Sequence, residues 1–298
     1  MNEATAPAIG SWRRSIDAEL SHVAGRELLQ APPRLRDAIH YSLTGEGKRL
    51  RGLLLLAAYD AVGGSGDAAP LAAAVEIVHA YSLVHDDLPC MDNDSMRRGR
   101  PTTHRAFTVP LATIAGVAMV PLAVRQTVVG AERLGLAEGT RRRLVAVLMR
   151  ASGASGMVGG QLLDLHGEGE RLSLAELEKV HGAKTGSLIA ASLSIGGIAG
   201  NANEDGIAAL DAAGEALGLA FQIADDVLDA TESSERLGKT ARADAALAKS
   251  TYASAIGVGA ARERSDALVR TAMTRLEAAG LRTPILDELA HFVSARRS

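Results

Sequence analysis

Four aspartates, Asp86, Asp87, Asp92 and Asp94, fall within the eleven-residue stretch 84-VHDDLPCMDND-94, at the end of an apolar run from Ile77 to Val84. Two like charges about 4 Å apart repel by ~1 kcal/mol in water and ~4 kcal/mol at an effective dielectric of 20. Carboxylates crowded against a hydrophobic segment therefore need cations. An all-oxygen donor set selects hard ions. Mg²⁺ takes one or two protein carboxylates and completes its octahedron with water and phosphate oxygens. The cluster reads as a platform for a metal and a diphosphate. Pro89 shapes it: proline disfavours helical geometry at Leu88 and removes a backbone donor. The helix should end or loosen after Asp87, and the chain should bulge and bring Asp92 back toward Asp86.

A second acidic cluster, 221-FQIADDVLD-229, lies about 140 residues on. At 3.6 residues per turn Asp225 and Asp229 stack one above the other, Gln222 falls on the same side and Asp226 lies close to that stripe. The neighbours Phe221, Ile223, Val227 and Leu228 are apolar. Taken alone, such a stripe is as well read as a solvated face. Basic residues flank both clusters: Lys48, Arg49 and Arg51 in 47-GKRLRG-52, Arg97, Arg98, Arg100 and Arg105 in 97-RRGRPTTHR-105, then Lys184-Thr185, Lys239-Thr240 and Lys249. Arginine binds phosphate oxygens through a bidentate fork and lysine as a point charge. Each alone is more often surface decoration; their pairing with two aspartate motifs carries the reading.

The elements that must position these residues are helices. The apolar spacing is helical nearly throughout, with no convincing strand alternation. Helices are expected near 11–30, 34–43, 48–62, 68–87, 108–134, 138–164, 173–200, 204–229, 245–257, 260–279 and 284–296, separated by Gly, Pro and Asn/Asp clusters. Ser173 followed by Glu176 forms a capping box. Leu53–Ala58 and Leu188–Ala199 are apolar on most faces and belong inside a bundle. No linker or fixed-period repeat divides the chain, so residues 1–298 read as a single domain. The 298 residues are 47% hydrophobic and 3% aromatic, with net charge −3, which points to neither nucleic acid nor an anionic membrane. The single cysteine, Cys90, forms no intrachain disulfide and fits a reducing compartment. The N-terminus lacks the apolar core of a signal peptide. The run Val109–Val124 falls short of the ~20 apolar residues of a spanning helix. The expectation is a cytoplasmic protein with no integral membrane segment.

In order along residues 30–257, the motifs GEGKRLRG, VHAYSLVHDDLPCMDNDSMRRGRPTTH, GMVGGQLLDL, KTG, FQIADDVLD, LGK and KSTY resemble the short-chain trans-isoprenyl diphosphate synthases, most like bacterial farnesyl and related geranylgeranyl diphosphate synthases. The resemblance implies an all-α, large single-domain helix bundle around a central cavity, in a homodimer. It implies Mg²⁺ on Asp86, Asp92 and Asp225, supported by Asp87, Asp226 and Asp229. By the same resemblance Arg97, Lys184 and Lys239 would contact the allylic diphosphate, and Lys48, Arg51, His79 and Arg98 would hold isopentenyl diphosphate. Thr185 and Gln222 would face the allylic cation, and Lys249 would close the diphosphate end. The implied reaction ionises dimethylallyl or geranyl diphosphate and joins it to isopentenyl diphosphate.

In the family, residues just before the first motif floor the cavity; here these are Tyr81 and Ser82. Five residues of helix rise cover ~7.5 Å, so Tyr81 is expected in the path of a growing chain, and its bulk resembles enzymes making the C15 product, farnesyl diphosphate. The C20 product is the alternative. Departures from the family pattern are Gly52 for a common Pro, Ser95 for a common Asp, Val117 for a frequent Asp, and Arg242-Ala243-Asp244 for Gly-Lys-Asp. A rival reading is a di-iron carboxylate bundle, from Glu-x-x-His pairs at Glu19/His22, Glu76/His79, Glu178/His181 and Glu288/His291. It explains neither the Asp-Pro bulge nor the arginines. A terpene cyclase and a non-catalytic partner subunit fit less well: a cyclase has no need of the GKRLR anchor, and both aspartate motifs are intact. The glycines of GMVGGQLLDL match no nucleotide loop and read as sites of close helix approach.

Overall fold

Fourteen α-helices are found in the structure, a computed structural model described here over residues 4–231 and 250–294. They are α1 (Ala6–His22), α2 (Pro33–Leu43), α3 (Leu50–Ala61), α4 (Ala69–Asp86), α5 (Thr103–Ala106), α6 (Val109–Arg133), α7 (Glu138–Ser152), α8 (Met157–His166), α9 (Leu174–His181), α10 (Ser187–Ala199), α11 (Glu204–Thr231), α12 (Tyr252–Ile256), α13 (Val258–Ala278) and α14 (Pro284–Ser294). Lys239, Lys249 and residues 242–244 lie outside the described residues.

Local chemistry sets several helix starts. Proline occupies the first turn of α1, α2, α4 and α6, where its missing N–H costs nothing and its φ suits the helix. The Ser173–Glu176 capping box forms as expected. Every residue from Leu188 to Ala199 is buried, so α10 is the centre of the bundle. It packs on α3 and α11; α4 packs on α6 and α11 on α13. The all-α expectation holds.

Three local features depart from the expected element pattern. The helix expected over 138–164 breaks between α7 and α8. There Gly156 has φ −125° and ψ −126°, and a Cβ on it would lie 2.1 Å from the Ala151 carbonyl oxygen. The helix expected over 173–200 is interrupted by a π-helical turn, Gly182–Gly186; single π turns recur at functional sites. A short antiparallel ribbon pairs β1 (Met96–Arg97) with β2 (Arg100–Pro101). Its turn residues Arg98 and Gly99 both have positive φ, 53° and 74°. Two-residue strands are too short to show alternation in a sequence. Helices α6 and α11 are long and apolar enough to cross a membrane by length and composition, contrary to the expectation for 109–124. About half of each relevant window is buried within the bundle, 50% and 56%.

Candidate active site

The first aspartate motif closes as its proline requires. Helix α4 ends at Asp86, and the Asp92 N–H donates to the Asp86 carbonyl at 2.9 Å. The Met91 and Asn93 N–H groups both donate to the Leu88 carbonyl, and Asn93 takes φ 52°. The bulge thus turns Asp86, Asp92 and Asp94 to one side, where they line a cavity of about 220 Å³. Asp87 points elsewhere. It is buried, and its Oδ1 accepts from Arg97 Nε at 2.7 Å. Arg97 also reaches Asp94 at 3.4 Å. Arg97 is therefore held by carboxylates on the rim that it would share with a diphosphate.

Burial pushes the Asp86 carboxyl up to about 6; Lys184 pulls it down, Asp92 pushes it up, Arg97 pulls it down and Asp87 pushes it up. Burial likewise raises Asp87, against the pull of Arg97. Carboxylates raised by burial and by one another are those that a bound cation relieves.

The opposite wall is α11. Gln222, Asp225 and Asp226 line the cavity, and Asp229 is buried a turn further along. Asp226 is heavily engaged. Its Oδ1 accepts from Gln222 Nε2 at 3.1 Å, its Oδ2 accepts from the Tyr252 N–H at 2.9 Å, and His181 Nε2 lies 3.6 Å from Oδ2. Gln222 Oε1 in turn accepts from Thr185 Oγ1 at 2.9 Å. This chain ties the π turn to α11 and to the segment leading into α12. The neighbouring Lys184 pairs with Asp164 at 2.7 Å.

Of the glycines in GMVGGQLLDL, Gly160 permits the close approach the sequence suggests. A Cβ on Gly160 would lie 2.2 Å from the Lys184 nitrogen, so α8 and the π turn are in backbone contact.

The basic residues divide. Arg51, His79 and Arg97 line the cavity. His79 is held well below the ordinary histidine value by burial first, then by Arg51, Arg98, Arg97 and Arg49. Arg98 faces an adjacent cleft, where its Nη1 donates to the Glu46 carbonyl at 2.7 Å. The Lys48 ammonium lies 5.0 Å from the ring centre of Phe292 on α14. Ser82 lines the cavity, whereas Tyr81 stands behind it. The Tyr81 ring is buried, its hydroxyl donates to the Ser152 carbonyl at 3.2 Å, and burial, then Asp86, raises it to about 12. Gln161 and Asp164, which sequence reasoning passed over, also line the cavity, as do Asp94 and His181, to which it gave no individual part in the diphosphate site. Gln161 and Asp164 are three apart in GGQLLDL, a helical spacing that puts both on one face.

Gly52, which stands where the family often has proline, gains a reason. Its N–H donates to Glu76 Oε1 at 2.9 Å, a bond proline could not make. That bond also bears on the di-iron reading. Glu76 serves Gly52, Glu19 serves Arg133 and Gln126, and Glu178 serves Arg264 at 3.0 Å. Among the described residues no three His, Cys, Asp or Glu side chains gather around one point. A di-iron centre needs four glutamates and two histidines together. The aspartates instead face each other from two walls, which fits hard cations bound by one or two carboxylates each and completed by phosphate oxygens.

A family model described as Polyprenyl synthetase matches residues 32–280. The chain is 38% identical over 290 residues to the farnesyl diphosphate synthase of Geobacillus stearothermophilus, covering 97% of this chain and 96% of that one. Its fold is similar to that of an FPP/GFPP synthase from Zymomonas mobilis, solved in its apo form, at a TM-score of 0.83 and 33% identity over 97% and 99% of the two chains. It is also similar to a geranyltransferase from Helicobacter pylori complexed with magnesium and isoprenyl diphosphate, at a TM-score of 0.81 and 30% identity over 96% of each chain.

Proposed function

The chain belongs to the polyprenyl synthetase family, and on that premise we propose that it condenses isopentenyl diphosphate with dimethylallyl and then geranyl diphosphate to give the C15 product, farnesyl diphosphate. It is a trans-prenyltransferase. The observation that carries the reading is that Asp86, Asp92 and Asp225 line one cavity together with Arg97 and Lys184. Bound to those carboxylates, Mg²⁺ supplies Lewis-acid stabilisation of the departing diphosphate. Arg97 and Lys184 add fixed positive charge on the same side, in a site where such charge is worth more than in water. Thr185 and Gln222, locked to each other and to Asp226, present oriented dipoles to the hydrocarbon side. Lys48, Arg51, His79 and Arg98 are the anchor for isopentenyl diphosphate, with His79 neutral. By the family resemblance Lys239 and Lys249, outside the described residues, would also contact the diphosphate. The proton lost on condensation goes to the released diphosphate, so no side-chain base is needed.

The working form is a cytoplasmic homodimer. An exposed apolar stripe on α6, Ile114, Val117 and Pro121 at spacings of three and four, supports a face covered by a second copy. Val117 in place of a frequent Asp makes that stripe more apolar. Geranylgeranyl diphosphate remains the alternative product, decided by the depth of the cavity below Ser82.

Asp92→Asn and Asp225→Asn test the reading from opposite walls. Each should lower diphosphate release by about a hundredfold or more, as loss of a transition-state electrostatic group does. Wild-type turnover in either variant would remove the platform from the mechanism.

A further inference from the structure

We infer that Arg49 is a positioning residue that clamps the 43–49 turn and so aims its neighbours Lys48 and Arg51 at isopentenyl diphosphate; the inference rests on the anchor reading of those two residues. Arg49 immediately precedes α3 and takes φ 52°, ψ 33°. This left-handed backbone is uncommon outside glycine, and it persists where surrounding contacts over-determine it. Those contacts are present. Arg49 Nε donates to Asp17 Oδ1 on α1 at 2.7 Å, and Nη2 donates to the carbonyls of Gly45 at 2.8 Å and Leu43 at 3.3 Å. The Arg49 side chain is only 9% exposed. On the far side of the turn, Arg98 takes the Glu46 carbonyl at 2.7 Å. Below it, Glu76 takes the Gly52 N–H and fixes the first turn of α3.

The side chain of Arg49 is thus engaged on three acceptors within the protein, and it borders the adjacent cleft beside His79 and Arg98 but not the cavity that Arg51 lines. A planar fork with five donors at fixed angles suits this task; a lysine ammonium is one flexible point charge. The consequence is specific to one substrate. The allylic side is built from α4, α8, the π turn and α11, none of which Arg49 touches through these bonds. Loosening the turn should weaken the grip on isopentenyl diphosphate and leave the allylic diphosphate alone.

The test is steady-state kinetics at saturating Mg²⁺ on Arg49→Lys, Arg49→Gly and Asp17→Asn, with Lys48→Ala as the control for the anchor itself. Glycine adopts φ 52° without strain, so Arg49→Gly keeps the turn's preferred backbone and removes only the clamp. Arg49→Lys and Arg49→Gly should raise KM for isopentenyl diphosphate about tenfold or more, the scale of hydrogen bonds from a charged group. Asp17→Asn, on a half-exposed side chain remote from the cavity, should raise it by a smaller factor in the same direction. KM for geranyl diphosphate should stay within about twofold, against that tenfold scale. Unchanged KM for isopentenyl diphosphate in Arg49→Gly, or equal rises for both substrates, would overturn the inference; Asp17→Asn decides it should the Arg49 variants fail to fold. If Lys48→Ala leaves KM for isopentenyl diphosphate unchanged, the anchor reading falls and the inference with it. If Lys48→Ala acts while Arg49→Gly does not, the inference alone falls.

Discussion

Gly160→Ala should cripple the enzyme from a residue that contributes no functional group. An added Cβ would sit 2.2 Å from the Lys184 nitrogen, 2.5 Å from its Cα and 2.7 Å from the Ala183 carbonyl carbon. Ordinary contact begins at 3.4 Å, so α8 and the π turn must part by about an ångström, and every clashing atom is backbone. Overpacking of this kind costs ~1–3 kcal/mol. In a chain of this length that lowers Tm by roughly 2–5 °C. The functional cost is larger. The π turn carries Lys184, paired with Asp164 on α8 at 2.7 Å, and Thr185, bonded to Gln222 at 2.9 Å. A misplacement of about 1 Å at reacting groups costs on the order of a hundredfold. The expected result is a drop of about a hundredfold in kcat, read by diphosphate release, with a modest loss in a thermal melt. Gly182→Ala, in the same π turn with nothing within 4 Å of the added carbon, is the control and should stay near wild type. Wild-type kcat and Tm in Gly160→Ala would refute the claim that backbone contact between α8 and the π turn sets the position of Lys184 and Thr185.

Tyr81→Ala should open space behind Ser82 and shift the product from C15 toward C20, sized by chromatography of the dephosphorylated alcohols. Tyr81→Phe loses only the bond to Ser152 and should keep C15, so an unchanged product in Tyr81→Ala would sink the floor assignment. His79→Gln should reduce acid sensitivity. Folded His79 refuses a proton that the unfolded chain takes up below pH 6.5, so stability is lost as pH falls through that value. At pH 5.5 the loss approaches ~1.4 kcal/mol, or ~2 °C in Tm for a chain of this size. The gap in Tm between pH 7.5 and 5.5 should narrow by that much in His79→Gln; an unchanged gap means His79 protonates freely in the fold.

What could be read in advance was what short-range rules govern. Pro89 dictated where α4 ends, and the return of Asp92 to the Asp86 carbonyl followed from it. A 3.6-residue period put Gln222, Asp225 and Asp226 on one wall of the cavity. Features that depend on distant partners were not legible. Asp87 and Asp94 look alike in sequence and both meet Arg97, at 2.7 and 3.4 Å, yet only Asp94 of the two lines the cavity. Gly160 lets α8 press against the π turn, and Arg98, in the left-handed turn of a short ribbon, reaches the Glu46 carbonyl fifty-two residues away. The Tyr81 hydroxyl is anchored on the Ser152 carbonyl at the end of α7, a partner that no spacing rule within α4 could reveal.

The most direct test incubates the purified protein with Mg²⁺ and isopentenyl diphosphate, and separately with dimethylallyl, geranyl or farnesyl diphosphate, then sizes the products. The proposed aspartate platform and C15 product predict Mg²⁺-dependent condensation of the two shorter starters to a dominant C15 product and little extension of farnesyl diphosphate. Folded protein that condenses no starter, or turns over equally without divalent metal, would contradict the account.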